Sequence, residues 1–270
     1  MPLPTITVEK PWGRDILPAP FQGPPGQRIG EIWFEPPPEL PELLVKYIFT
    51  SEKLSVQVHP DDDQAEAAGL GRQGKEECWL VIDAQPGAQL GVGFDVPLDA
   101  EAMRAAALDG SIEHLLTWHD IAPGDFFYIP AGTVHAIGAG VGIIEIQQNS
   151  AITYRLFDYG RPRELHLDAA IAVARGMPHD PALRRRVPCN GTAALVDGPH
   201  FRLDLVDGQL PANVRGRHDG KLLVIPLAGL AGVAGASVQP GQCALADRLD
   251  DVDVCDGARL LIASPVHSGA

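Results

Sequence analysis

Polar and apolar residues alternate over short distances along much of the chain. One example is the stretch "KLSVQVHPDD", residues 53–62, where the polar residues of its first half occupy odd positions and the apolar ones occupy even positions. An extended strand of this sequence places all of these polar side chains on one face. Taken alone, the pattern predicts a half-exposed strand whose polar face meets water. The polar residues on that face are Lys53, Ser55, Gln57 and His59.

Most of the other apolar segments are also short. Segments such as "LLVKYIFT", "ECWLVIDA", "DFFYIP" and "GIIEIQ" are separated by turns that use many of the 29 glycines and 25 prolines. This punctuation is typical of a β-sandwich or barrel. Residues 99–120 and 165–176 instead have Ala and Leu at helical spacing. The chain is therefore predicted to be dominated by β-structure, with small helical insertions beside the sheets.

The chain divides near residue 186, where strands resume in segments such as "RLDLVDG" and "KLLVIPLAG". We expect a first domain over residues 1–185 and a smaller β-domain over 186–270. A strand, a Pro-Gly turn and another strand occur in both "IAPGDFFYIPAG" and "VQPGQCALADRL". No histidine follows the turn in the second copy, so the chemistry is expected in the first domain.

Composition excludes several classes of protein. The 270 residues are 45% hydrophobic, which is enough for a sizeable core, yet no apolar run reaches the length of a membrane helix. The first residues lack the pattern of a signal peptide, and we expect a cytoplasmic protein. The four cysteines have no CxxC spacing, so neither a disulfide framework nor a cysteine zinc site is indicated, and all four are predicted to be buried thiols.

The formal net charge of -14 argues against a nucleic acid or an anionic membrane as partner, because those partners need a basic face. A small anionic substrate needs only a local group of cations. The run "RRR" at 184–186 is predicted to be a solvated surface feature. The cations available for a local group are Lys53, Lys75, Arg155, Arg161 and Arg163.

The segment "GDFFYIPAGTVHAIGAG" contains a specific spacing of Gly124, Pro130, Gly132 and His135. This spacing resembles the second sequence motif of the cupin superfamily, in which a turn between two strands presents a metal-binding histidine inside a jelly-roll barrel. Ala139 stands where that motif ends in Asn. The resemblance implies two cupin-like jelly-roll domains and makes His135 a candidate metal ligand.

The first cupin motif has two histidines one residue apart, and Gln57 and His59 have that spacing here. In "GKEECWLVID", Glu77 shares a strand face with Lys75 and supplies the acidic residue. Two histidines, one carboxylate and one amide oxygen suit a divalent ion, with zinc the usual choice and iron, manganese, cobalt or nickel open. The polar face of residues 53–59 is therefore predicted to line a metal pocket.

The ordered set "EKPWG", "LSVQVHPDD", "GKEECWLVID", the segment from 124 to 161 and "ELHLDAA" resembles type I mannose-6-phosphate isomerase of the short bacterial kind, over residues 9 to 170. The resemblance implies one zinc ion bound by Gln57, His59, Glu77 and His135. It also implies interconversion of mannose 6-phosphate and fructose 6-phosphate through a cis-enediol. Gly74 stands where longer relatives have a histidine, so a catalytic role of that histidine does not transfer.

The base that moves the carbon-bound proton remains open among Lys75, Glu145 and Asp61. Arg155 resembles the active-site arginine of the family, and its side chain is expected on the same face as Thr153 and Phe157. Ser55 and Lys53 are candidates for the substrate phosphate.

Two other functions remain open at the level of the sequence. A non-catalytic sugar-sensing cupin would keep the metal and lose the base and the arginine. Another metal-dependent cupin enzyme, either a different sugar-phosphate isomerase or an oxygenase, would keep the metal with a different reaction. Oxygenases need open positions on iron, which the four-residue ligand set disfavours. The sequence leaves the oligomeric state open.

Overall fold

The computed structural model describes residues 1–266, which form mainly antiparallel sheets. The strands before residue 187 are β1 (Thr5–Arg14), β2 (Ile29–Phe34), β3 (Leu43–Phe49), β4 (Val56–Val58), β5 (Glu77–Ala84), β6 (Gln89–Phe94), β7 (Leu116–Asp120), β8 (Asp125–Ile129), β9 (His135–Ile137), β10 (Val141–Gln148), β11 (Tyr154–Phe157) and β12 (Arg184–Arg186). Those after it are β13 (Ala193–Asp197), β14 (Phe201–Asp207), β15 (Leu222–Ala228), β16 (Ala231–Val233), β17 (Ala236–Val238), β18 (Ala244–Ala246), β19 (Val252–Val254) and β20 (Arg259–Pro265). The helices are α1 (Asp62–Ala67), α2 (Ala100–Asp109), α3 (Ile112–Leu115), α4 (Leu167–Val173) and α5 (Ala212–Arg215), with 3-10 turns at Pro181–Leu183 and Leu249–Asp251.

Two sheets from the first part of the chain pack face to face. The larger has the order β1-β2-β3-β10-β5-β8-β12, and the smaller has the order β11-β4-β9-β6-β7. Their shared core contains Trp79 and Ile143 of the larger sheet and Leu90, Val92 and Ile137 of the smaller one. The predicted β-dominated fold with small helices is confirmed.

The strand β10 shows how the layers are assembled. Its even residues Ile144 and Ile146 pack with Leu205 and Leu261 of the sheet β13-β14-β20-β15-β18. Its odd residues, including Glu145, point the other way, into the sandwich between the larger and smaller sheets. The three-stranded sheet β17-β16-β19 covers the opposite side of the third sheet. Because β10 is covered on both faces, any polar side chain on its odd positions is enclosed.

Helices α2, α3 and α4 cover the outer face of the smaller sheet. The prediction of a helix over residues 99–120 is correct only in its first part. Asp99 caps α2 by accepting from the Ala102 backbone N–H at 2.8 Å, and Gly110 ends α2 in a left-handed conformation with φ of 83°. Residues 116–120 are strand β7 because they pair with β6, an interaction that helical spacing does not reveal.

The surface predictions are partly confirmed. Arg184–Arg186 have exposed side chains, although they form an edge strand rather than a plain connection. The prediction of four buried thiols is wrong for two of them, because Cys189 and Cys255 are exposed while Cys78 and Cys243 are buried. Among the described residues, no helix is long and apolar enough to cross a membrane.

Candidate active site

Two residues of the predicted polar face, Ser55 and Gln57, border a cavity of about 440 Å³, a size suited to a small ligand. The even positions Val56 and Val58 are buried on the helix-covered side of the smaller sheet. The odd positions Ser55 and Gln57 line the cavity, as the alternation predicts. Leu54, an even position, lines it as well, because residues 53–55 precede strand β4 and do not follow its alternation. The cavity wall is rich in charge and contains Lys10, Glu31, Lys46, Lys75, Glu145, Arg155 and Arg163.

Three of the four predicted metal ligands form one buried group. Atoms of His59, Glu77 and His135 lie within 4.8 Å of one another. His59 Nε2 is 3.6 Å from Glu77 Oε2, and His135 Nε2 is 3.5 Å from Glu77 Oε1. The fourth residue, Gln57, pairs with His135 across β4 and β9, and its amide nitrogen is 3.2 Å from His135 Nε2.

These separations can be compared with a tetrahedral ion. Ligands about 2.0–2.1 Å from a tetrahedral zinc ion lie about 3.3 Å from one another. The observed separations of 3.2, 3.5 and 3.6 Å are close to that value. A flip of about 180° at the Gln57 side-chain amide, which is nearly isosteric, turns its oxygen toward His59, Glu77 and His135. These three separations, of which the two to Glu77 involve different carboxylate oxygens, are compatible with a small divalent ion among the four side chains.

The protonation of the histidines also suits metal binding. His59 Nδ1 is 2.8 Å from the Ile152 carbonyl, and His135 Nδ1 is 2.9 Å from the Thr133 carbonyl. Each Nδ1–H donates to its carbonyl, which leaves the Nε2 lone pair directed into the group. Burial lowers the pKa of both histidines, that of His135 to about 4, so both imidazoles are neutral at pH 7.

Glu77 is fully enclosed, and its Oε1 has no hydrogen-bond partner among the described residues. Burial, followed by repulsion from Glu145, raises the pKa of Glu77 to about 7. The ammonium of Lys75 lies 2.6 Å from Glu77 Oε2 and 2.9 Å from His59 Nε2. Lys75 and Glu77 thus point to one place, as predicted. A buried carboxylate oxygen without a partner beside two neutral imidazoles is the donor set that a cation completes.

Glu145 lies on the cavity wall with two partners. Lys46 Nζ is 2.8 Å from Glu145 Oε1, and Trp79 Nε1–H donates to Glu145 Oε2 at 2.9 Å. Burial alone would raise the pKa of Glu145, but attraction to Lys46 and then to Lys75 lowers it below its ordinary value. Sequence reasoning missed Lys46. The signal was a single lysine inside "LLVKYIFT", a segment otherwise apolar enough for a fully buried strand.

Arg155 differs from the other cavity cations. Among residues 1–266 no carboxylate lies within ion-pair distance of its guanidinium, and its buried Nε has no hydrogen-bond partner. Burial and then repulsion from Arg163 lower its pKa. The other cavity cations are paired with acids: Lys10 with Glu31 at 3.4 Å, Lys46 with Glu145 at 2.8 Å, Lys75 with Glu77 at 2.6 Å and Arg163 with Asp158 at 2.6 Å.

One expectation about Arg155 is wrong. Thr153 and Arg155 both line the cavity, but Phe157 packs on the helix-covered side, near Gly110. A β-bulge between Arg155 and Phe157 shifts the register against β4 and turns Phe157 to the other face.

Two other candidates lie outside the cavity lining. The Lys53 ammonium pairs with Glu113 and stands over the ring of Trp118, 5.0 Å from its centroid. The Asp61 carboxylate caps α1 by accepting from the Gln64 backbone N–H at 2.9 Å. The structure thus brings together Ser55, Gln57, His59, Lys75, Glu77, His135, Glu145 and Arg155, and it gives Lys53 and Asp61 other partners.

Comparisons of the sequence identify similar proteins. No family model matches the chain. Mannose-6-phosphate isomerase ManA of Bacillus subtilis is 44% identical over 137 residues, which cover 48% of this chain and 43% of that protein. Mannose-6-phosphate isomerase of Streptococcus mutans is 37% identical over 212 residues, which cover 75% of this chain and 65% of that protein. The matched segments thus span 43% and 65% of the length of these two curated relatives.

Solved structures are similar to this fold over nearly the whole chain. A mannose 6-phosphate isomerase from Bacillus subtilis has a TM-score of 0.74 at 24% identity and covers 97% of this chain and 98% of its own. A zinc-bound mannose 6-phosphate isomerase has a TM-score of 0.72 at 15% identity and covers 98% of both chains. The chain is therefore a homologue of the mannose-6-phosphate isomerases by sequence, and it has their cupin-like fold.

Proposed function

We propose that the chain is a metal-dependent aldose–ketose isomerase that interconverts mannose 6-phosphate and fructose 6-phosphate through a cis-enediol. The observation that carries this proposal is a cavity lined by Gln57, Glu145 and Arg155, with the buried group of His59, Glu77 and His135 behind Gln57. Among residues 1–266, Arg155 has no acidic partner. The names of the relatives supply the substrate, and the cavity supplies groups for each part of it.

The proposed metal ligands are Gln57, His59, Glu77 and His135, and the proposed ion is zinc. A divalent ion at this position supplies Lewis-acid stabilisation of negative charge on the sugar oxygens. Near-tetrahedral spacing and two imidazoles that are already neutral support zinc over harder ions such as magnesium, which prefer oxygen ligands.

Arg155 is the proposed anion-binding group of the chain. An arginine without a carboxylate partner offers a permanently charged planar fork to a phosphate or to a developing enediolate. Ser55 lines the same cavity and offers a hydroxyl donor. Lys53 would have to leave Glu113 to reach the cavity, so we place it outside the core of the site.

Glu145 is the proposed general base. Its lowered pKa keeps it a carboxylate at neutral pH, and it faces the cavity. In the forward direction it accepts the proton from C2 of the open-chain sugar, while electron density moves to the C1 carbonyl oxygen and gives the enediolate. The proton of the C2 hydroxyl then passes to O1 as C2 becomes the carbonyl, and Glu145 returns its proton to C1. Lys75, held by Glu77, is the proposed positive charge that offsets the enediolate. We assign no such role to Asp61, whose carboxylate caps α1.

The test is a coupled assay with mannose 6-phosphate on the zinc-loaded chain, before and after chelation. Turnover that chelation abolishes and zinc restores is the expected result. Glu145→Gln and Lys75→Met then separate the base from the charge-stabilising group, because only loss of the base should block exchange of the C2 proton with solvent. Absence of turnover with bound sugar phosphate would favour the sugar-sensing alternative, and equal turnover under anaerobic conditions would exclude an oxygenase.

We further propose that residues 1–185 are the catalytic domain, that residues 186–270 form a smaller domain without a metal site, and that the enzyme acts in the cytoplasm. The cavity and all proposed site residues lie within the first of these segments. The third sheet, from the second segment, packs behind β10 and so supports the wall that carries Glu145.

A further inference from the structure

Four side chains form a row across the larger sheet beside the metal group. Trp33 of β2 is opposite Lys46 of β3, Lys46 is opposite Glu145 of β10, and Glu145 is opposite Trp79 of β5. Directly opposed residues share one face of a sheet and have their Cβ atoms about 5 Å apart. The row of Trp33, Lys46, Glu145 and Trp79, here termed the cross-sheet row, thus places an ion pair between two indoles.

The two ends of the cross-sheet row differ in exposure. Trp33 lines the cavity, and the Lys46 ammonium stands 5.4 Å from the centroid of its ring. Trp79 has no exposed surface and does not line the cavity. A ligand in the cavity therefore meets Trp33, Lys46 and Glu145 directly, whereas Trp79 can act on the reaction only through its neighbours.

Trp79 has two such neighbours. Its indole N–H donates to Glu145 Oε2 at 2.9 Å, while Lys46 occupies the other oxygen of that carboxylate. The Trp79 ring also meets the His135 ring edge to face, with centroids 5.3 Å apart and planes at 76°. Trp79 and Glu145 are both buried, so a water molecule could donate to Glu145 in place of the indole N–H only if a new cavity opened beside the carboxylate.

We propose that Trp79 is a positioning residue that orients the Glu145 carboxylate for proton transfer, through its indole N–H, while its ring supports His135. The inference rests on the proposed role of Glu145 as the general base. The Trp79 hydrogen bond to one oxygen and the Lys46 ion pair with the other oppose rotation of the carboxylate about its terminal bond. The lone pair that remains free on each oxygen then has a fixed direction into the cavity.

The test replaces Trp79 by Phe, which keeps an aromatic ring beside His135 and removes the N–H. A hydrogen bond to a charged group is lost, so kcat for mannose 6-phosphate should fall roughly 10- to 100-fold. KM should change less than about 3-fold, because Trp79 does not touch the cavity. Zinc content should remain at one ion per chain. Trp118→Phe is the matched control, because the Trp118 indole donates to the Glu113 carbonyl outside the cavity, and its kcat should be unchanged.

A double-mutant cycle separates positioning from general structural damage. If Trp79 acts through the Glu145 carboxylate, the kcat of the double variant Trp79→Phe/Glu145→Gln should be less than about 3-fold below that of Glu145→Gln alone. An equal fold loss in both backgrounds would show that Trp79 only supports the fold, and unchanged kcat in Trp79→Phe alone would also overturn the inference. A zinc-loaded wild type that does not isomerise mannose 6-phosphate would instead refute the proposed function itself.

A second measurement tests the inference even if the Trp79→Phe variant does not fold. In zinc-loaded Glu145→Gln, the Trp79 indole proton should move upfield in the ¹⁵N–¹H spectrum, because a neutral amide accepts a weaker hydrogen bond than a carboxylate. The Trp118 indole proton should stay in place. An unmoved Trp79 resonance would overturn the inference without any activity measurement.

Discussion

Replacement of Arg155 tests whether this residue, rather than the paired cations of the cavity, contacts the anionic ligand. Every other cation on the wall is partly neutralised by a carboxylate, so Arg155 carries the charge that an anionic ligand can meet without first breaking an ion pair. A charge-assisted hydrogen bond to such a group is worth roughly 1.5–3 kcal/mol. Loss of one contact made only in the transition state should therefore lower kcat by about 10- to 100-fold, with KM nearly unchanged.

The two kinetic constants distinguish a transition-state contact from a uniform phosphate contact. If Arg155 holds the phosphate equally in ground state and transition state, KM should rise and kcat should stay. We expect the kcat effect in both Arg155→Ala and Arg155→Lys, because an ammonium does not reproduce the planar fork. The assay is steady-state isomerisation of mannose 6-phosphate at saturating zinc.

Two controls accompany the Arg155 assay. Circular dichroism and metal analysis should match the wild type, since Arg155 contacts none of the proposed metal ligands through its side chain. Arg104→Ala removes an exposed arginine that pairs with Asp168, and its kinetics should equal those of the wild type. Normal kcat and normal KM in both Arg155 variants would refute the reasoning and make Arg155 a structural residue.

Three further predictions follow from the same geometry. His135→Ala should lose bound metal and activity together, whereas His119→Ala on β7 should keep both, as measured by metal analysis of the purified chains; full metal occupancy with activity in His135→Ala would contradict the assigned ligands. Mannose should have a kcat/KM at least about 10-fold below that of mannose 6-phosphate, because charge-assisted contacts to the phosphate are absent; equal values would remove phosphate recognition from the proposal. Lys46→Met should raise the pKa of Glu145, since burial then outweighs the remaining attraction to Lys75, so the acid limb of the kcat/KM profile should move to higher pH. In the wild type, the lowered pKa of Glu145 contributes stability that is present above its unfolded pKa and is lost as the pH falls through its folded pKa. In Lys46→Met the raised pKa should reverse this sign, and the unfolding free energy at pH 7 should fall by about 3–5 kcal/mol. An unmoved acid limb would show that Lys46 does not hold the carboxylate.

Local patterns in the sequence were sufficient to predict which side chains of several strands point inward and which point outward. Strand alternation has a period of two, so Ser55 and Gln57 share the cavity face and the metal candidates Gln57 and His59 could be paired from spacing alone. The alternation fails at Lys53, which pairs with Glu113 because β4 begins only at Val56. The turn at Gly132 before His135 was equally local, since its left-handed backbone with φ of 81° favours glycine. Such predictions succeed because they depend on neighbours within a few residues.

Features that depend on strand pairing were missed or wrong. Lys46 has no sequence neighbour that marks it as functional, and its role appears only because β3 pairs with β10 and opposes it to Glu145. The bulge after Arg155 turns Phe157 away from the cavity, and alternation cannot foresee an extra residue that the partner strand does not match. Residues 116–120 became a strand through pairing with β6.

The sequence by itself determined that this chain is β-dominated, which strand faces are polar, and which residues are candidates for metal, base and anion binding. Only the tertiary structure decided that Glu145 lies between Lys46 and Trp79 and that Asp61 caps a helix instead of entering the site. It also decided that Arg155 has no acidic partner within residues 1–266. The physical reason is that the state of a charge depends on burial and on atoms within about 4 Å. In a sheet built from strands 100 residues apart in sequence, those atoms are brought together by cross-strand register alone.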